Sequence, residues 1–316
     1  MVGAFALHIV VALVLYNFPD LFQIGILLNL SLGEIMLFVP MVVYLLLWKL
    51  NTGKRAVEED EQPQTLRERL HYNKVKPSTL VYALIFTWLS MPLTTLINAI
   101  SMLFVDNTVM ALSEQILGVA FPVMLFFMAV VPAFCEETMF RGIVYGGYRK
   151  HGNKCTAVLL SGFLFGIMHM NLNQALYAFV IGVLLALLFE ATDSILPTIL
   201  FHFVYNAQSC CLMFLVEEMM PGFYSDPAAL EMATAAADLY TMIAAYIVIA
   251  AIFTPLAICM LYKIAKNEGR VEQLKETLPG KKEGKARIAT ASFVIATVLA
   301  VGFIVYDILL TYGIIA

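Results

Sequence analysis

The strongest constraint in this sequence is a succession of apolar runs, each long enough to approach or exceed the roughly 20 residues needed to cross a bilayer. They are read at 3–18, 22–48, 78–104, 117–148, 156–171, 174–190, 194–216, 238–262 and 288–312, and they predict eight or nine transmembrane helices. A backbone in lipid must satisfy its own hydrogen bonds, and no train of short alternating segments suggests a closed barrel. The expected class is therefore all-α, a polytopic membrane helical bundle. Composition agrees: the chain is 61% hydrophobic and 13% charged, with a mean hydropathy of +0.85.

The basic residues predict an orientation. Of nineteen Lys and Arg, seven lie in 49–76, three in 149–154 and eight in 263–287, which leaves Arg141 alone. The segments 105–115 and 217–237 carry Asp106, Glu217, Glu218 and Asp226 but no Lys or Arg. The positive-inside bias assigns the basic loops to the cytoplasm and the acidic ones to the outside of a prokaryotic plasma membrane. Nine spans then give a cytoplasmic N-terminus and an external C-terminus. The first run lacks a basic flank and a small-residue cleavage site, so it reads as a retained helix. Segment 64–73, "TLRERLHYNK", reads as a short surface helix and 267–287 as a solvated linker. Acids interrupt the two longer basic stretches and net charge is −4, so no nucleic-acid partner is expected. Five cysteines in or beside the spans predict no disulfide framework.

Inside the fourth run stands "CEETMFRG", residues 135–142. A charge at a helix centre costs about 2.5–3.5 kcal/mol on insertion scales, whereas each good apolar residue returns about 0.3–0.6. Glu136, Glu137 and Arg141 must therefore face protein or water. Four-residue spacing pairs Glu137 with Arg141 along one face, while Glu136, rotated by about 100°, stays outside that pair. Pro132, four residues before Glu136, tends to kink the helix and open space for water. Two histidines complete the pattern: His169 ends "FGIMH" in the fifth run, and His202 opens "HFVYN" in the seventh, with Asn206 on the same face. Counted from the cytoplasmic ends, Glu136, His169 and His202 lie at roughly 18, 20 and 12 Å depth. They can meet.

These residues resemble the CPBP family, the CAAX prenyl endopeptidases and bacteriocin-processing proteins also called Abi proteins. Its signature is EExxxR, FxxxH and HxxxN on separate membrane helices, here "EETMFR" at 136–141, "FGIMH" at 165–169 and "HFVYN" at 202–206. The resemblance implies a catalytic core at 117–216, preceded by membrane helices with a charged loop (1–116) and followed by membrane helices with a basic linker (217–316). It implies an intramembrane endopeptidase acting in the lipid membrane on a small membrane-associated or lipidated peptide. Glu136 and His169 would position and deprotonate water, His202 and Asn206 would donate to the oxyanion, and Glu137 and Arg141 would hold the site together. Phe165 would pack beside His169.

The implied cofactor is either none or zinc. Glu136, His169 and His202 are a zinc-compatible set, the family is often labelled metalloprotease, and HExxH is absent. The balance favours no tightly held metal. Three other readings stand beside the peptidase. Glu136, His169 and Arg141 could relay protons in a transporter, with Glu34 in the second run extending the path. The chain could be a non-catalytic immunity or partner-binding membrane protein. Cys135 could act as a nucleophile, although no base stands four residues away.

Overall fold

The computed structural model describes residues 26–59, 64–150, 153–279 and 291–311; the run expected at 3–18 lies outside them. Among the described residues there are helices and turns and no strand. The principal helices are α1 (Ile26–Glu59), α2 (Pro77–Ser101), α3 (Phe121–Tyr148), α4 (Lys154–Ile167), α5 (Leu172–Thr192), α6 (Leu196–Met219), α7 (Ala236–Glu268) and α8 (Ala291–Thr311). Six contain stretches long and apolar enough to cross a membrane: α1, α2, α3, α5, α6 and α7. Their outward positions, such as Leu47, Val248 and Ile258, are exposed apolar side chains, the surface that lipid covers.

Local chemistry sets the helix starts. Pro77, Pro122 and Pro197 stand in first turns, where the missing N–H is not needed. Asn153 and Asn171 cap α4 and α5 by accepting from the N–H groups of Thr156 and Gln174. The helix expected at 156–171 is instead α4, of 14 residues, about 21 Å long and too short to span. It is tolerated because it is buried against α5 rather than against lipid. A Cβ on Gly162 would come within 2.7 Å of Val183, one on Gly166 within 2.5 Å of the Ala175 carbonyl, and one on Gly182 within 2.7 Å of the Gly162 Cα. Only glycine permits this approach.

α2 runs through the middle of the bundle, against α5, α6 and α7. Its inward stripe is Thr79, Ala83, Phe86, Thr87, Ser90 and Thr94, which recur at helical spacing and are mostly small. The Thr87 and Ser90 hydroxyls donate to the carbonyls four residues back, so the stripe is polar yet self-satisfied.

The basic end departs from the expected surface helix and linker. Leu66–Arg69 is a one-turn helix with a Thr65–Glu68 capping box, after which the chain dips inward and buries Arg69 and Leu70. His71, at φ 57°, lets its carbonyl accept from the Ile195 N–H, and Asn73 donates to the Asp193 carbonyl. Residues 267 and 268 still belong to α7, whose C-terminal turn binds Ser78 and Thr79 at the start of α2, and Val271–Lys275 is helical and packs on α5. These segments are held because Glu190, wholly buried in α5, pairs with Arg149 at 3.0 Å and Lys154 at 3.3 Å and accepts on its main-chain carbonyl from Arg270. Several cations of the basic loops are therefore also structural counter-ions.

Two outcomes follow. Gly166→Ala is expected to lower thermal stability in detergent by about 1–3 kcal/mol, because a backbone carbonyl cannot yield as a side chain can; an unchanged melting curve would contradict the packing. Asp193, just past α5, is buried against its charge, but hydrogen bonds from His71 and Arg149 outweigh that and hold its carboxyl well below the usual range. A lowered folded pKa contributes stability above the unfolded value near ~3.9 and loses it as pH falls through the folded value. The melting advantage of the wild type over Asp193→Asn should persist from neutral pH down to about pH 4 and shrink only below it.

Candidate active site

α3 is not a uniform helix. Phe126–Val130 and Thr138–Tyr145 are π-helical, on either side of the α-helical stretch Val131–Glu137. π turns recur at functional sites because the widened backbone re-aims side chains. Pro132 has no N–H for the Met128 carbonyl four residues back. The structure supplies the donor from another helix: Asn206 Nδ2 lies 3.1 Å from Met128 O. One amide hydrogen of Asn206 is thus engaged on α3, and its second remains available.

Arg141 is fully buried. Its Nη1 donates to Glu137 Oε1 at 2.7 Å, its Nη2 donates to the Gly182 carbonyl at 3.1 Å, and its guanidinium lies 4.5 Å over the Phe165 ring. The four-residue pair expected from spacing is present. Glu137 has a further role that spacing did not reveal: the same Oε1 lies 3.1 Å from His202 Nδ1. A carboxylate only accepts, so Nδ1 carries the hydrogen and Nε2 is the nitrogen turned toward Glu136. The separation from His202 Nε2 to Glu136 Oε2 is 3.9 Å, too long for a direct hydrogen bond and open to a bridging water. Glu136 is buried, outside the Arg141 pair, and its Oε2 has no hydrogen-bond partner.

His169 lies in the turn after α4 rather than within a span, because the helix ends at Ile167. Its Nδ1 is 2.9 Å from the Phe165 carbonyl and therefore donates, which frees Nε2 for the site. The Phe165 ring is the hub of the cluster: His169 meets it edge-on at 5.3 Å, His202 at 5.8 Å and Phe140 at 5.1 Å between centroids. The two imidazoles meet on one aromatic ring, and Glu136 approaches His202 to 3.9 Å.

Among the described residues no group of three or more His, Cys, Asp or Glu side chains is placed to hold a metal ion. Cys135 is buried beside Glu136, and all five cysteines are free thiols. The sequence reading missed Tyr72, whose hydroxyl lies 3.2 Å from Thr138 Oγ1, and Arg69, which donates to the Gly142 carbonyl. Both come from the segment read as a surface helix, and no local pattern marks a loop that folds back onto a distant helix.

The Asn206 contact makes a testable statement. Asn206→Leu should cost about 1–3 kcal/mol by leaving a buried carbonyl without a donor. Adding Pro132→Ala, which restores an N–H, should recover part of that loss; equal thermal losses in the single and double variants would refute the pairing.

Comparison with known proteins agrees with this geometry. Residues 118–208 match the family model described as type II CAAX prenyl endopeptidase Rce1-like. The chain is also 32% identical over 87 residues to the Bacillus subtilis (strain 168) protein named "Putative membrane peptidase YdiL". That match covers 28% of this chain and 36% of the relative, so the chain spans only about a third of that protein's length. No solved structure gives a significant match. Over this region, with EExxxR, FxxxH and HxxxN on the elements that build the cluster, the chain is similar to the type II CAAX prenyl endopeptidase Rce1-like family, and both comparisons support the CPBP resemblance.

Proposed function

We propose that this protein is an intramembrane endopeptidase that hydrolyses a peptide bond of a small membrane-associated or lipidated peptide. The observation that carries the reading is the pairing of a buried, unpartnered Glu136 Oε2 with His202 Nε2 3.9 Å away, the imidazole being oriented by Glu137 and Glu137 in turn by Arg141. An oriented base beside a fixed imidazole is the arrangement that water activation requires.

In this reading water enters between Glu136 and the two imidazoles. Its oxygen bonds to the scissile carbonyl carbon while Glu136 takes its proton, assisted by His169 through Nε2. His202 Nε2 accepts from the attacking water, and the second amide hydrogen of Asn206 donates to the oxyanion, the interaction with the largest electrostatic return in acyl transfer. Collapse breaks the C–N bond, and the proton on Glu136 passes to the departing amine. Arg141 touches no reacting atom. It holds Glu137, and through it the tautomer of His202. The basic end faces the cytoplasm by the positive-inside bias.

Glu136→Gln, His169→Ala and His202→Ala are each expected to abolish cleavage in proteins that still elute as folded species, with a fall in kcat of about 10²–10⁴-fold for Glu136→Gln. Peptides released from membranes carrying the intact protein and the Glu136→Gln variant would identify the substrate by difference. Full activity in Glu136→Gln would sink the mechanism. Glu137→Gln should lower stability as well as turnover, since it weakens the partner of a buried guanidinium.

A further inference from the structure

Among the described residues two arginines are more than nine-tenths buried, Arg141 at 0% exposure and Arg69 at 8%. Arg141 has the Glu137 carboxylate at 2.7 Å. Arg69 has no acid within ion-pair distance among the described residues, and its partners are neutral: Nη2 donates to the Tyr44 hydroxyl at 2.9 Å and Nη1 to the Gly142 carbonyl at a long 3.4 Å. A guanidinium carries five N–H donors and a full charge, and these two partners offset neither the remaining donors nor the charge. Shielding a cation from water without a counter-ion is costly.

The acids of this end are engaged elsewhere. Glu68, the preceding residue, accepts from the Thr65 N–H and hydroxyl. Glu190 is held by Arg149 and Lys154, and Asp193 by Arg149 and His71. What stands beside Arg69 is instead a second cation. Its Nη1 is 3.8 Å from where a Cβ on Gly146 would lie, and the exposed Lys150 follows Gly146 by one turn, just past the end of α3.

α1 sets the depth of this group in the membrane. Tyr44 is 39% exposed, and Trp48 follows it by one turn on the same helix face. Tyr and Trp gather at the headgroup level of a bilayer, where an apolar ring and a polar edge are both accommodated. Arg69 therefore ends at the membrane surface, against a hydroxyl that is itself open to the outside of the bundle.

We propose that Arg69, the Tyr44 hydroxyl and Lys150 form a binding site for a phosphate group at the membrane surface. A phosphate supplies the charge that Arg69 lacks, and its oxygens suit the donors left over in the guanidinium fork. The Tyr44 oxygen accepts from Arg69, so its own hydrogen is a further donor to the anion. The headgroup of an anionic phospholipid carries this group at the depth of Tyr44 and Trp48; inorganic phosphate carries the same chemistry in solution. Occupancy ties α1 and the 65–73 segment to α3 at Gly142, and it is independent of the peptidase reading.

The test follows the melting temperature of the purified full chain in a neutral detergent while phosphatidylglycerol, phosphatidylcholine or inorganic phosphate is titrated in. Phosphatidylglycerol should raise it saturably, and phosphatidylcholine, whose choline already neutralises its phosphate, should not. Arg69→Gln should move the midpoint of that titration to lipid concentrations about fivefold higher or more, the factor that one cation is worth at an anionic lipid surface. Lys150→Gln, at an exposed position that folding does not require, should move it in the same direction. Lys275→Gln, which removes a cation already bonded to Glu272, should leave it unchanged. Equal stabilisation by inorganic phosphate, lost in Arg69→Gln, supports the site and assigns it to the free anion rather than to a lipid. A wild type indifferent to both phosphatidylglycerol and phosphate overturns the proposal. So do unmoved midpoints in Arg69→Gln and Lys150→Gln, or a shift in Lys275→Gln as large as theirs.

Discussion

The buried guanidinium of Arg141 is the constraint on which the rest of the site depends. An uncompensated cation in the middle of a membrane protein is prohibitive, and three partners share the task of compensating it: the Glu137 carboxylate, the Gly182 carbonyl and the face of Phe165. Each partner ties a different helix to α3. Glu137 also receives His202 from α6, Gly182 brings α5, and Phe165 brings α4 with both imidazoles on its edges. The site is thus assembled by the solution to a solvation problem, and the geometry of His202 is one of its consequences.

The approach of α5 to Arg141 depends in turn on glycine. Gly182 can offer its carbonyl to the guanidinium because the α4–α5 contact at Gly162, Gly166 and Gly182 brings backbone against backbone. That same contact allows α4 to be too short to span and still be stable, since its polar ends meet protein rather than lipid. The shortness matters chemically. It ends the helix before His169 and leaves the imidazole in a turn, with Nδ1 fixed by its own helix's last carbonyls and Nε2 free.

A second charged centre secures the basic end. Glu190 collects Arg149, Lys154 and Arg270, and Asp193 collects Arg149 and His71. The segment that carries His71 also presents Arg69 to the Gly142 carbonyl and Tyr72 to Thr138, which adjoins Glu137. The basic end and the motif helix are therefore in direct contact, so the loop that carries the basic residues also braces the helix that carries the acids.

Much of this was legible in the sequence. Bilayer-length apolar runs force helices because lipid offers the backbone no partners, and their bounds fell close to α2, α3, α5, α6 and α7. Four-residue spacing determined the Glu137–Arg141 pair, and the expense of charge in lipid marked Glu136, Glu137 and Arg141 as inward-facing. What periodicity does not encode is which helix meets which. The joining of His202 to Glu137, of Asn206 to the carbonyl that Pro132 leaves unserved, and of residues 69–72 to α3 each links positions far apart in the chain. Those contacts were decided by tertiary packing, because buried charges and orphaned carbonyls accept whichever donor the close approach of the helices brings within reach.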